Sequence, residues 1–150
     1  MPFQVSTGLR NAVLGTESMK AALANGFIHV YYCTPGNIPV DADAAITGVH
    51  TKLLTVYGDG ISEGLNLGTA SGGAIGKDSG ETWAGPVLVD GNAVFFRYVA
   101  VGDTGAASTT EKRLQGRVGV AGAELNLSSL NLVAGQVRTV NFASISQPGG

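Results

Sequence analysis

Phe27-Ile28-His29-Val30-Tyr31-Tyr32-Cys33, closed by Thr34-Pro35-Gly36-Asn37, decides how the rest of the chain is read. The run is rich in β-branched and aromatic residues, which fit a pleated surface, and Pro-Gly-Asn ends it with turn chemistry. Side chains alternate across a strand, so Phe27, His29, Tyr31 and Cys33 face one way and Ile28, Val30 and Tyr32 the other. Both sets are bulky. The spacing therefore predicts a strand that is covered on both sides.

Upstream the period is helical. Leu9, Val13 and Leu14 fit one helical face, and Met19, Ala22 and Leu23 fit another, with Gly15 between them. Thr16 is placed to cap the second stretch, and Asn25-Gly26 to stop it. Residues 1–26 are expected to form an N-terminal arm with one broken helix or two short ones, ahead of a β domain over 27–150.

Downstream the chain alternates in short runs. Val49 to Tyr57, Leu65 with Leu67, Ala74 to Lys77, Pro86 to Val89, Asn92 to Gly102, Arg113 to Val120, Leu125 to Leu127, Leu130 to Val133 and Val137 to Ile145 read as strands, with Gln147-Pro148-Gly149-Gly150 as a tail. Asp90-Gly91 between two β-rich runs is the sharpest local signal and predicts a type I′ hairpin turn. Parallel strands joined by helices would need more chain than these intervals leave. The expected fold class is mainly β: an antiparallel β-sandwich, jelly-roll-like, with a short N-terminal helical segment.

Composition supports this reading and narrows the function. The 150 residues are 44% hydrophobic and only 13% charged, against about 25% charged in ordinary soluble domains. The 23 glycines disfavour long helices and suit turns. A net charge of −2 gives no pull toward nucleic acid or an anionic membrane. The single cysteine, Cys33, sits in an apolar run and reads as a buried, inert thiol. The opening residues lack the basic and apolar regions of a secretory signal, and no apolar run approaches the roughly 20 residues of a membrane helix.

Candidate chemistry is sparse. His29 and His50 are both expected inside strands, away from any nucleophile elbow, and no Gly-x-Ser-x-Gly occurs. Asp41/Asp43 lacks the following Asp and Gly of a calcium loop, and a solvated loop accounts for it and for Asp59 near Glu63. Gly72-Gly73-Ala74-Ile75-Gly76-Lys77-Asp78 only resembles a phosphate loop, because Ser71 stands where its first Gly belongs and Asp78 where a hydroxyl would hold magnesium. Trp83 beside Glu81 is the one candidate for glycan stacking, with core packing the alternative. No enzyme, cofactor or metal is expected.

Several phrases, in order over nearly the whole chain, resemble a family of small virion proteins of tailed bacteriophages, of the capsid cement or decoration type. They are Pro2 to Asn11, Ala22 to Ile28, Tyr31 to Pro35, Gly80 to Gly85, Phe96 to Ala100, Asp103 to Thr110, Arg113 to Gly116 and Ala123 to Ser129. The chain departs from the pattern at Cys33, where the family has Gly, and at Pro39-Val40-Asp41. The resemblance implies a jelly-roll protein of the capsid surface, assembled in the host cytoplasm. It would bind major capsid protein and pair with copies of itself as a dimer or trimer. The alternative is a tail- or fibre-associated adaptor. For the contact surface, the candidates are Phe3, Val5, Leu9 and Val13 on the N-terminal arm, which could equally cover the chain's own sheet. Arg113 and Arg117, an even number apart on one strand face, are the other candidates.

Overall fold

The described residues of the computed structural model are 3–142 and 144–146. The chain enters through β1 (Gln4–Val5), α1 (Thr7–Gly15) and α2 (Met19–Ala22). It continues through β2 (Phe27–Tyr32), a 3-10 turn (Pro35–Asn37), β3 (Thr51–Val56), β4 (Ala74–Ile75), β5 (Ala84–Pro86), β6 (Gly91–Asn92) and β7 (Phe95–Val99). Then come β8 (Arg113–Gly119), β9 (Leu125–Asn126), β10 (Asn131–Leu132), β11 (Val137–Thr139), β12 (Asn141–Phe142) and β13 (Ile145–Ser146). The result is mainly β, a curled mixed sheet with two short helices.

The helical segment is made by its caps. The Ser6 hydroxyl accepts from Leu9 N to open α1, and the Ser18 hydroxyl accepts from Ala21 N to open α2. Thr16, expected to cap the second helix, instead closes the first by donating its N–H to Ala12 O. Asn25 takes a φ of 59° and turns the chain into β2. Leu9, Ala22 and Leu23 are buried, whereas Leu14, assigned to the same face as Leu9, is 86% exposed.

The main ladder runs β12-β9-β8-β7-β2-β3, and β1 pairs with Leu114 and Gln115 of β8, upstream of the Val118–Gly119 stretch that pairs with β9. Bridges Leu54↔Val87 and Tyr57↔Ala84 carry it from β3 to β5, and β5 pairs with β11. Only Val140 separates β11 from β12, so the ladder returns to its starting edge. One pair, β8 with β9, is parallel, so the sheet is not antiparallel throughout as expected. The side chains of the short connection make this possible. Glu124 Oε1 accepts from Arg117 N, and the Asn126 amide both accepts from Ala123 N and donates to Ala123 O.

Asp90-Gly91 makes no hairpin turn. Neither residue has a positive φ. The Asp90 carboxylate accepts from Ala134 N across 2.7 Å, and Gly91 is small because a Cβ there would lie 2.9 Å from Leu53 Cδ2. The runs on either side diverge: β5 pairs with β11, β6 with β10, and β7 with β2 and β8. The paired positive φ values instead occur at Gly72 (61°) and Gly73 (80°), where Ser71 and Ala74 exchange both backbone bonds. The run expected over Val137 to Ile145 breaks into three short strands; Ala143 and the tail from Gln147 lie outside the described residues.

β2 is covered on both sides, as its composition predicts. Ile28 and Val30 enter the main core with Leu54, Val56, Phe96, Tyr98, Leu114 and Trp83, while Tyr31 joins Cys33 and Phe95 in a second cluster behind the sheet. Phe142 sits among the aromatic rings of the main core, with centroids 5.3 Å from Phe3, 5.3 Å from Trp83, 6.1 Å from Phe96 and 5.9 Å from Tyr98. Each such pair contributes about 0.5–1.5 kcal/mol beyond area burial.

Candidate functional site

The register of β2, β7 and β8 sets one row of side chains on the sheet face away from the main core. His29 pairs with Arg97 and Arg97 with Gln115; Tyr31 pairs with Phe95 and Phe95 with Arg117; Val99 pairs with Arg113. This face carries charge, yet Arg97, Arg113 and Gln115 are no more than 1% exposed. They are covered by the irregular segment 38–47 and the loop 103–110.

The cover is held by its carbonyls. Pro39 O accepts from Gln115 Nε2, Val40 O from Gln4 Nε2, Asp41 O from Arg97 Nη2, Ala42 O from Arg113 Nη1 and Asp43 O from Ser108 N. Five successive residues thus find partners without regular structure, as buried backbone must. The Asp43 carboxylate accepts from Thr7 N and Thr7 Oγ1, and the Thr7 hydroxyl holds it below the usual carboxylate range. Asp103 grips Arg113 with both oxygens, at 2.6 Å to Nε and 2.8 Å to Nη2. Burial pushes the Asp103 carboxyl up, but its bonds to Arg113 and Gly105 N outweigh this and hold it below its ordinary value.

Beside this network is a cavity of about 150 Å³, lined by His29, Tyr31, Lys52, Arg97, Asp103 and Gly105 among others. Burial, then the nearby Lys52 charge, lower the His29 imidazole to about 4, so it is neutral at pH 7; its Nδ1 lies 3.0 Å from Thr55 Oγ1. Burial raises the Tyr31 phenol to about 12. Arg97 donates from Nε to Gln115 Oε1 and from Nη2 to Asp41 O, and its Nη1 is buried with no partner among the described residues.

The residues expected to form a contact surface are placed differently from one another. Leu9 is fully buried, and Phe3, Val5 and Val13 are partly buried against the chain's own core. Phe3 stacks edge-on to Phe96 at 6.2 Å. In this single chain the segment lies against its own sheet. Arg113 and Arg117 do share a strand face, but Arg113 is fully buried on Asp103 and offers no surface; Arg117 is exposed.

The remaining chemical candidates are used locally. His50 lies in a turn just before β3, not in a strand, accepting from Thr47 N at Nδ1 and donating from Nε2 to Asn37 O. Asp59 Oδ1 accepts from Ile61, Ser62 and Glu63 N, which hold its pKa down, the Glu63 N–H most. Lys77 Nζ donates to Asp78 O and Glu81 O. Trp83 is fully buried and donates from Nε1 to Glu81, so it cannot present a ring to a glycan. Cys33 is buried and free, and burial pushes its thiol up. Among the described residues no three His, Cys, Asp or Glu side chains gather to hold a metal, and no helix is long and apolar enough to cross a membrane.

Two apolar surfaces were not legible in the sequence. On the β5–β11 ribbon, Val87 turns inward while Leu88 (53% exposed) and Val137 (66% exposed) face solvent on either side of Pro86, the register partner of Val137. A groove of about 550 Å³, lined mostly by apolar atoms of Val13, Met19, Ala70, Ala74, Ile75 and Ile145, lies between the helices and β4–β13. Comparison with protein families, with curated proteins and with solved structures finds no match for this chain.

Proposed function

We propose that this chain is a bacteriophage capsid cement or decoration protein that binds major capsid subunits and stabilises the head through many modest contacts acting together. The resemblance of its ordered phrases to small virion proteins supports the reading. The geometric observation that carries it is the pair of solvent-facing apolar side chains Leu88 and Val137 beside half-buried Pro86, on a chain with few charges. Two large apolar side chains exposed on neighbouring paired strands suit a contact with another protein. Pairing with further copies, location on the capsid surface and the jelly-roll-like sandwich belong to the same proposal. The tail-adaptor alternative loses its one glycan candidate with the burial of Trp83.

Binding of the purified chain to undecorated heads tests the proposal. Leu88→Asp and Val137→Asp, both at exposed positions, should leave the circular-dichroism spectrum unchanged and reduce head binding at least tenfold. Undiminished binding by both variants, or antibody labelling of tails instead of heads in electron micrographs, would overturn it.

A further inference from the structure

We infer that the cavity between β2, β3, β7 and the 103–105 loop is a binding site for a small oxyanion, a carboxylate or phosphate group. The inference rests on a mismatch between the two arginines of the covered face. Arg113 is matched by the Asp103 carboxylate. Arg97 is equally buried, but its partners are neutral: Gln115 Oε1 at 2.8 Å and Asp41 O at 3.1 Å. Asp103 and Asp41 are near enough to act on it through space, but neither carboxylate bonds to it. A buried guanidinium with no anion hydrogen-bonded to it, and with Nη1 unbonded, is costly unless an anion joins it.

The lining residues suit such an anion. Lys52 is exposed and brings a second cation to the rim, and the Tyr31 phenol stays protonated at neutral pH and can donate. His29 remains neutral there, so it neither repels nor adds charge. Asp103 is the one carboxylate lining the cavity, and its oxygens are already engaged by Arg113 Nε, Arg113 Nη2 and Gly105 N. Asp41, next in line, directs Oδ1 to its own loop, accepting from Asp43 N and Ala44 N. A volume of about 150 Å³ has room for several waters, which selects a small ion over a nucleotide or sugar, whose pockets begin near 300 Å³. The inference is independent of the capsid role.

The test is calorimetric titration and thermal denaturation of the full chain with sodium phosphate and, separately, sodium acetate, at ionic strength fixed by sodium chloride. Saturable binding of at least one anion is expected, with a matching rise in Tm. The tighter of the two identifies the group. Lys52→Gln, at an exposed position, should fold normally and weaken the affinity about tenfold; Arg97→Gln should abolish it. No saturable response to either anion would show that Arg97 is satisfied by water alone, and an affinity unchanged in Lys52→Gln would place the binding outside this cavity; either result overturns the inference.

Discussion

Arg113 begins β8 with all three side-chain nitrogens engaged, by Asp103, Ala42 O and Ala106 O. Removing one partner of a buried ion pair leaves the other charge stranded, at a cost of about 3–5 kcal/mol. Arg113→Met should lower the urea-unfolding free energy by that amount, while Arg117→Met, at an exposed site on the same strand face, should change it by less than about 0.5 kcal/mol. Similar losses in the two variants would contradict the buried assignment. Strand periodicity made the shared face of these arginines readable from the sequence. It could not tell which was buried, because that depends on segments 38–47 and 103–110 folding over one end of β8. A signal was available at Arg97: a cation alternating with Phe95 and Val99 on one face points to a covered charge.

At the scale of elements, the join between β3 and β5 is set by glycine. A Cβ on Gly85 would stand 1.8 Å from Thr55 O, a backbone atom that cannot move aside without breaking the ladder. Gly85→Ala should therefore cost more than about 4 kcal/mol, near the limit of what the domain can lose. Gly15, at the end of α1, has no atom within 4 Å of its Cβ position and no positive φ, so Gly15→Ala should stabilise by up to about 1 kcal/mol. Paired Tm measurements would check both signs. The long elements, β2, β3, β7 and β8, were legible because their alternation spans enough residues to define a face. Two-residue strands such as β6, β9 and β10 carry no such pattern; their partners are chosen by tertiary contacts. Asp90-Gly91 misled for the same reason. A turn-forming pair is also what a side-chain cap and a close backbone approach require.

For the whole molecule, the N-terminal segment belongs to the core. Ser6 N donates to Arg113 O, Ser6 Oγ accepts from Arg113 N, Lys112 pairs with Glu17, and Leu9 fills the space beside β8. Deleting residues 1–14 should lower Tm by at least about 10 °C, since loss of Leu9 alone removes about 2–5 kcal/mol. A truncated chain with unchanged Tm in differential scanning calorimetry would restore the detachable arm. The mainly β class was readable from composition and period; the order of strands was not, because it is written in contacts between distant short segments.

The return of the ladder through β11, Val140 and β12 has a consequence for biosynthesis. Until Phe142 has left the ribosome, the nascent chain can form only an open ribbon with unpaired backbone at both margins and its central aromatic ring absent. Such margins invite pairing with neighbouring nascent chains. The stage at which β7 is free of the ribosome and Phe142 is not is thus one in which this protein is exposed to misassembly, and one in which a chaperone would help.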